Sequence, residues 1–171
     1  MKKNTVLRNI ALCTAAVLCL SLLSACVSKK EEEKKVDLAV FAQTLQENHE
    51  FPSLEKADPE DEELGAVMLE NAYPGLKDMD LEQTEVYLAA VSFSGGELAL
   101  VQAKNAADAA KVKGIFDARV TAKTTEGPGN YPEEVEMWLH SSVVVSRGNY
   151  VMLVNHEDSQ AIVNEFNELF K

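Results

Sequence analysis

Residues 141–155 read SSVVVSRGNYVMLVN, with three consecutive valines before Arg147-Gly148-Asn149 and four consecutive apolar residues after Tyr150. Two β-prone runs flanking a Gly-Asn turn read as a hairpin. Side chains alternate across a strand, so an unbroken apolar run places apolar groups on both faces of the sheet. Strands of this kind are covered on both sides. Whatever else this chain forms, it has to clothe that hairpin twice.

A second pair of β-rich runs, EVYLAAVSFS and GELALVQAK, meets at Ser94-Gly95-Gly96 and predicts another hairpin. Helical periods surround the two. Asp37 can cap a first helix, with Val36 closing over Phe41 as a staple and Leu38, Phe41, Ala42 and Leu45 on one face. Phe51–Glu60, with Pro52 and Pro59, reads as a connector, and a second helix is expected from Asp61 to Ala72. It stops at Tyr73-Pro74-Gly75, because Pro74 disfavours helical dihedrals before it. Asn105, with Asp108 three residues on, predicts the cap of a third helix whose inward face is Ala109, Val112, Phe116 and Val120. EGPGNYP ends that helix, and Pro132 suits the first turn of a short one through Val135, Trp138 and Leu139. Asp158 or Ser159 is expected to cap a last helix facing inward through Ile162, Phe166, Leu169 and Phe170. The expected fold is α+β: N-terminal helices, then two hairpin–helix (ββα) units, forming a mainly antiparallel four-stranded sheet with helices packed on a face. A shift of 53 positions overlays Gly95 on Gly148, Leu100 on Leu153 and Asn105 on Asp158, which raises the possibility of an internal repeat.

The N-terminus has a separate logic. Lys2, Lys3 and Arg8 precede an apolar run from Ile10 to Leu23, and the small residues Ser24 and Ala25 lead to Cys26. This is the layout of a secretory signal peptide, and its core is shorter than the ~18–20 residues of a spanning helix. Leu23-Ser24-Ala25-Cys26 resembles the bacterial lipobox, in which the cysteine receives a diacylglycerol before cleavage. The expected organisation is a lipoprotein signal peptide over 1–25, a lipidated Cys26 with a charged tether over 26–35, and one α+β domain over 36–171. Acyl chains contribute about 0.8 kcal/mol per buried methylene, so Cys26 would anchor the chain to the membrane without spanning it. Cys13 and Cys19 would leave with the signal, and Cys26 as a thioether leaves no free thiol, hence no disulfide framework, zinc-cysteine cluster or cysteine nucleophile. About 145 residues can stand on a core of their own.

The whole chain carries a net charge of −12. Loss of Lys2, Lys3 and Arg8 leaves 13 basic against 28 acidic residues, a net charge of −15. Such a surface repels nucleic acid, which requires basic footprints.

The segments YPGLKDMDLEQTEVYLAAVSFSGGELALVQAKNAADAAKVKGIF and YPEEVEMWLHSSVVVSRGNYVMLV resemble the bacterial lipoproteins of domain-of-unknown-function family 4358. The likeness runs from about Val36 to Phe170. It is carried by the Tyr-and-Gly helix stop near Tyr73, the Ala- and Asp-rich helix start at Asn105, and GNYVMLV at Gly148. The resemblance implies a Gram-positive (Firmicutes) lipoprotein on the extracytoplasmic face of the cell membrane. It implies no activity and supplies no catalytic residues.

Searched for chemistry, the chain offers little. His49, His140 and His156 lie far apart, with no HExxH and no helical pair at ligand spacing, so no metal site is expected. No GxSxG and no Walker A pattern occurs, and no cofactor or catalytic residue is assigned. The acidic run DPEDEE, residues 58–63, lacks the alternation and glycine of a calcium loop. The expected contact surface is Gly127–His140, GPGNYPEEVEMWLH, with Tyr131, Trp138 and His140 as its binding residues, since such loops carry recognition. The functional expectation is a monomeric, non-enzymatic binding or accessory module that contacts an envelope protein, a polymer or a small ligand. The alternative is an extracytoplasmic hydrolase of an unrecognised class.

Overall fold

Asp37 opens the first helix as its sequence context predicts: its carboxylate accepts the Val40 N–H at 3.1 Å, and α1 runs Leu38–Asn48. The computed structural model describes residues 35–91, 96–125 and 131–171. The signal segment, Cys26 and most of the tether fall outside these residues, as do Ser94-Gly95 and Gly127–Asn130. After α1 come β1 (Leu54–Lys56), α2 (Gly65–Ala72), β2 (Leu81–Ala89) and β3 (Glu97–Ala103). The second half holds α3 (Ala106–Thr124), α4 (Pro132–Ser141), β4 (Ser142–Arg147), β5 (Tyr150–Asn155) and α5 (Ser159–Glu168).

The sheet has five strands in the order β1-β2-β3-β5-β4, every neighbouring pair antiparallel. The expectation of four strands was one short. β1 lies inside the predicted connector and is only three residues long, Leu54-Glu55-Lys56, paired to Ala89, Leu88 and Tyr87. Two of its three residues are exposed, so its backbone pairing left no apolar alternation to read.

Both faces of the sheet carry helices, not one. Leu98 and Leu100 of β3, with Tyr150, Met152 and Val154 of β5, pack with Leu38, Phe41 and Leu45 of α1 and Ile162, Val163 and Phe166 of α5. The alternate residues Ala99, Val101, Val151 and Leu153 pack with Leu69 of α2, Val112 and Phe116 of α3, and Trp138 of α4. β5 is buried at all six positions, as its apolar run requires. The result is a three-layer arrangement, helix on sheet on helix.

The same allocation dissolves the 53-residue repeat. Leu100 and Leu153, which the shift aligns, lie on opposite faces, and so do the helices α3 and α5. A repeat would need an offset that conserves strand parity, and this one reverses it.

Two helix starts differ in detail. The second helix begins at Gly65, not at Asp61. Asp61 instead closes a turn, its carboxylate accepting the N–H groups of Glu63 and Leu64 at 3.1 and 3.3 Å. A Cβ on Gly65 would lie 2.2 Å from the Asp58 carbonyl oxygen, so the helix enters against backbone that only glycine can approach. Asn105 does cap α3, accepting the Asp108 N–H at 3.0 Å. Asp158 sits at the N-cap of α5 but makes no side-chain cap bond. Its carboxylate is turned elsewhere.

Candidate functional site

One end of the sheet is where the chain crosses most often: α1 leaves for β1, β3 begins, α4 passes into β4, and β5 hands over to α5. A cleft of about 300 Å³ opens there, lined by Glu50, Pro52, Gly96, Met137, Ser141, His156 and Glu157. Gly96 has φ +90°, and a Cβ on it would meet Pro52 Cγ at 2.4 Å, so this wall of the cleft depends on glycine.

His156 lines the same cleft. It is 6% exposed, and its ring lies 4.4 Å from that of Phe51. Its backbone N–H donates to the Ser141 carbonyl at 3.2 Å, tying the start of the β5–α5 turn to the end of α4. Its Nδ1 accepts the Asp158 N–H at 3.0 Å, which puts the ring proton on Nε2. His49, the C-cap of α1, stands edge-to-face with His156 at 5.8 Å between ring centroids. Its two nitrogens face Asp158 Oδ2 at 3.5 Å and Glu165 Oε1 at 2.9 Å. Two nearly buried imidazoles and four carboxylates (Glu50, Glu157, Asp158 and Glu165) thus gather at the cleft and its rim. A site of this composition favours cationic ligands and hydrogen-bond donors.

The predicted contact surface divides. Tyr131, at the N-cap of α4, is 61% exposed. His140, in the last turn, is exposed and pairs with Glu136 at 3.3 Å. They lie nine positions apart, about 13 Å along the axis. Trp138 is not on this surface. It is 2% exposed and belongs to the core beneath α4, with the Arg119 guanidinium 5.6 Å and the Lys123 ammonium 6.0 Å from its ring centre. Tyr131, Trp138 and His140 therefore form no common patch. The residues of α4 that reach the cleft are Met137 and Ser141.

A second polar cluster lies against Trp138. Glu97 is buried on β3, and both its oxygens are held by Arg119, Nε at 3.0 Å and Nη2 at 2.7 Å, while the Tyr73 hydroxyl donates to Oε1. Lys123 pairs with buried Glu134 at 2.6 Å. Burial first, then the Glu97 charge, holds the Tyr73 hydroxyl well above its ordinary range. On β2, burial and the Glu85 carboxylate likewise push Tyr87 up. The unfolded chain ionises these tyrosines near their ordinary value of about 10 while the folded chain keeps both protons, so above that pH the unfolded state binds fewer protons. Stability is expected to be fully present below about pH 10 and to fall as pH rises beyond it, by up to ~1.4 kcal/mol per unit for buried Tyr73 and by less for Tyr87, whose partial exposure screens it. Urea midpoints across that range check this, and Tyr73→Phe should flatten the decline. A profile that stays level above pH 10 in the wild type contradicts it.

Among the described residues, no helix is long and apolar enough to cross a membrane. Compared with known proteins, residues 56–156 match the family model described as "Domain of unknown function (DUF4358)". No curated protein and no solved structure shows significant similarity. The match begins in β1 and ends at His156, so it takes in most of the cleft lining but neither α1 nor α5.

Proposed function

The chain belongs to the domain-of-unknown-function family DUF4358, and we propose that it is a lipid-anchored extracytoplasmic binding module. In this reading diacylglyceryl Cys26 holds it to the outer face of a Gram-positive cell membrane, and the cleft at the end of the sheet is its ligand site. The anchor rests on Leu23-Ser24-Ala25-Cys26 at the end of the apolar run. The observation that carries the binding role is the cleft itself, which offers the carboxylates of Glu50 and Glu157 beside His156, Ser141 and the Met137 thioether. A few polar groups converging in a concavity of this size suit a small ligand, or one residue of a larger one.

Cys26→Ala is expected to leave the precursor uncleaved and unlipidated, while mass spectrometry of the membrane fraction shows a diacylglyceryl N-terminus in the wild type. Wild-type protein free in the medium with another N-terminus would sink the anchor. For the cleft, Ser141→Trp inserts an indole into its lining and should remove any small molecule that native mass spectrometry detects on the purified chain. Retention of that molecule in the variant would move the site elsewhere.

The runner-up is a hydrolase of an unrecognised class, favoured by one observation: Ser141 and His156 line the same cleft, two residues from Asp158. The hydrogen bonding is wrong for a serine triad. A triad needs the aspartate carboxylate on Nδ1–H so that Nε2 can take the serine proton. Here the Asp158 backbone N–H occupies Nδ1, and Nε2 already carries the proton.

A further inference from the structure

At the rim of the cleft three parts of the chain converge: the end of α1 with His49, the turn after β5 with His156 and Asp158, and α5 with Glu165. One ligand atom from each of His49, His156 and Asp158 lies within 4.8 Å of the others. Their protonation follows from their partners. Glu165 Oε1 lies 2.9 Å from His49 Nε2, and a carboxylate can only accept, so His49 carries a proton on Nε2. Its Nδ1 then faces Asp158 Oδ2 at 3.5 Å. That separation is long for a hydrogen bond, and two lone pairs so placed repel each other unless a cation lies between them. Two ligand atoms on a tetrahedral Zn²⁺ with bonds of 2.0–2.1 Å stand about 3.3 Å apart, close to the spacing here. His156 contributes a second unprotonated nitrogen, Nδ1, and coordination there would replace its contact with the Asp158 N–H.

We propose that His49, His156 and Asp158 form a three-ligand site for a divalent first-row transition ion such as Zn²⁺, with a fourth position open toward solvent and the cleft. Two imidazoles with one carboxylate suit Zn²⁺ and its neighbours, whereas Mg²⁺ and Ca²⁺ prefer all-oxygen sets. Glu165 is a positioning residue: it fixes the His49 tautomer from behind, in the manner of the carboxylate–histidine–zinc pairs that orient metal ligands. The side chains of both histidines are nearly buried while Asp158 is exposed, which leaves an entry path on the aspartate side. The site shares His156 with the cleft, but it depends neither on the anchor nor on any cleft ligand.

The test is titration of ZnCl₂ into the full chain, purified in detergent, stripped with chelator and with its thiols alkylated, followed by calorimetry at neutral pH. The expected result is saturation at one ion per chain with a micromolar or tighter dissociation constant. His49→Gln and Asp158→Asn should each weaken binding by 100-fold or more, and Glu165→Gln by about 10–100-fold. His140→Gln, at an exposed ring that pairs with Glu136, should change nothing. Asp158 is exposed, so Asp158→Asn should keep its melting profile even if replacing the buried His156 unfolds the chain. Co²⁺ in place of Zn²⁺ should give the visible bands of a tetrahedral ion and lose them in Asp158→Asn. Absence of saturable binding in the wild type, or binding unaltered by His49→Gln, overturns the proposal.

Discussion

Arg119→Ala is expected to destabilise the fold by about 3–5 kcal/mol, the range for removing one partner of a buried ion pair. The reason lies with the partner left behind. The Glu97 side chain is only 4% exposed, and Arg119 supplies two of its hydrogen bonds. Without the guanidinium, a carboxylate remains in an apolar layer with Tyr73 as its remaining partner. Net stabilities of domains are about 5–15 kcal/mol, so the variant should sit close to unfolding at physiological temperature. Replacing the pair together with Tyr73, as Glu97→Leu, Arg119→Met and Tyr73→Phe, should recover most of the loss, because well-packed apolar groups substitute for buried ion pairs at little cost. Urea denaturation of the single and combined variants gives the coupling directly. A loss below about 1 kcal/mol for Arg119→Ala would mean that Glu97 reaches water, as surface pairs do.

Trp138→Ala should cost a similar ~3–5 kcal/mol, since truncating a large buried aromatic removes its transfer energy and leaves a cavity. Arg119 and Lys123 lie against its ring and would lose that contact as well. Tyr131→Ala, seven residues earlier, should stay within about 0.5 kcal/mol, because the side chain is largely solvated. Thermal melts of the two variants separate core from surface along one helix. Equal losses would contradict the placement of α4.

What the sequence disclosed was local. Asp37 and Asn105 are legible as caps because a cap is written in four consecutive residues. The double coverage of β5 is legible because VMLV leaves no solvent face. The side of the sheet to which each helix returns is a tertiary choice, and neither periodicity nor the 53-residue shift contains it. β1 is held by backbone pairing, which any side chain permits. One tertiary contact is nevertheless written in the sequence. Glu97 shares strand parity with Ala99 and Val101, marking an inward charge that needs a partner on another element. At the cleft, His156 and Asp158 are two residues apart, but His49 comes from the other end of the chain, and only the fold brings it to them.

The middle of the sheet also sets an order of events during folding. Each hairpin, β2–β3 or β4–β5, closes over a short loop and can form within microseconds. The β3–β5 ladder, from Glu97↔Asn155 to Gln102↔Tyr150, joins residues some fifty positions apart and has to wait for a long loop to close. Until it does, β3 and β5 each present an unpaired edge with apolar groups on both sides, the kind of edge that recruits a strand from another chain. The encounter between β3 and β5 is thus a race between folding and aggregation. Delayed synthesis of the second hairpin slows that encounter and high protein concentration speeds the competing one, and both tilt the outcome toward intermolecular pairing.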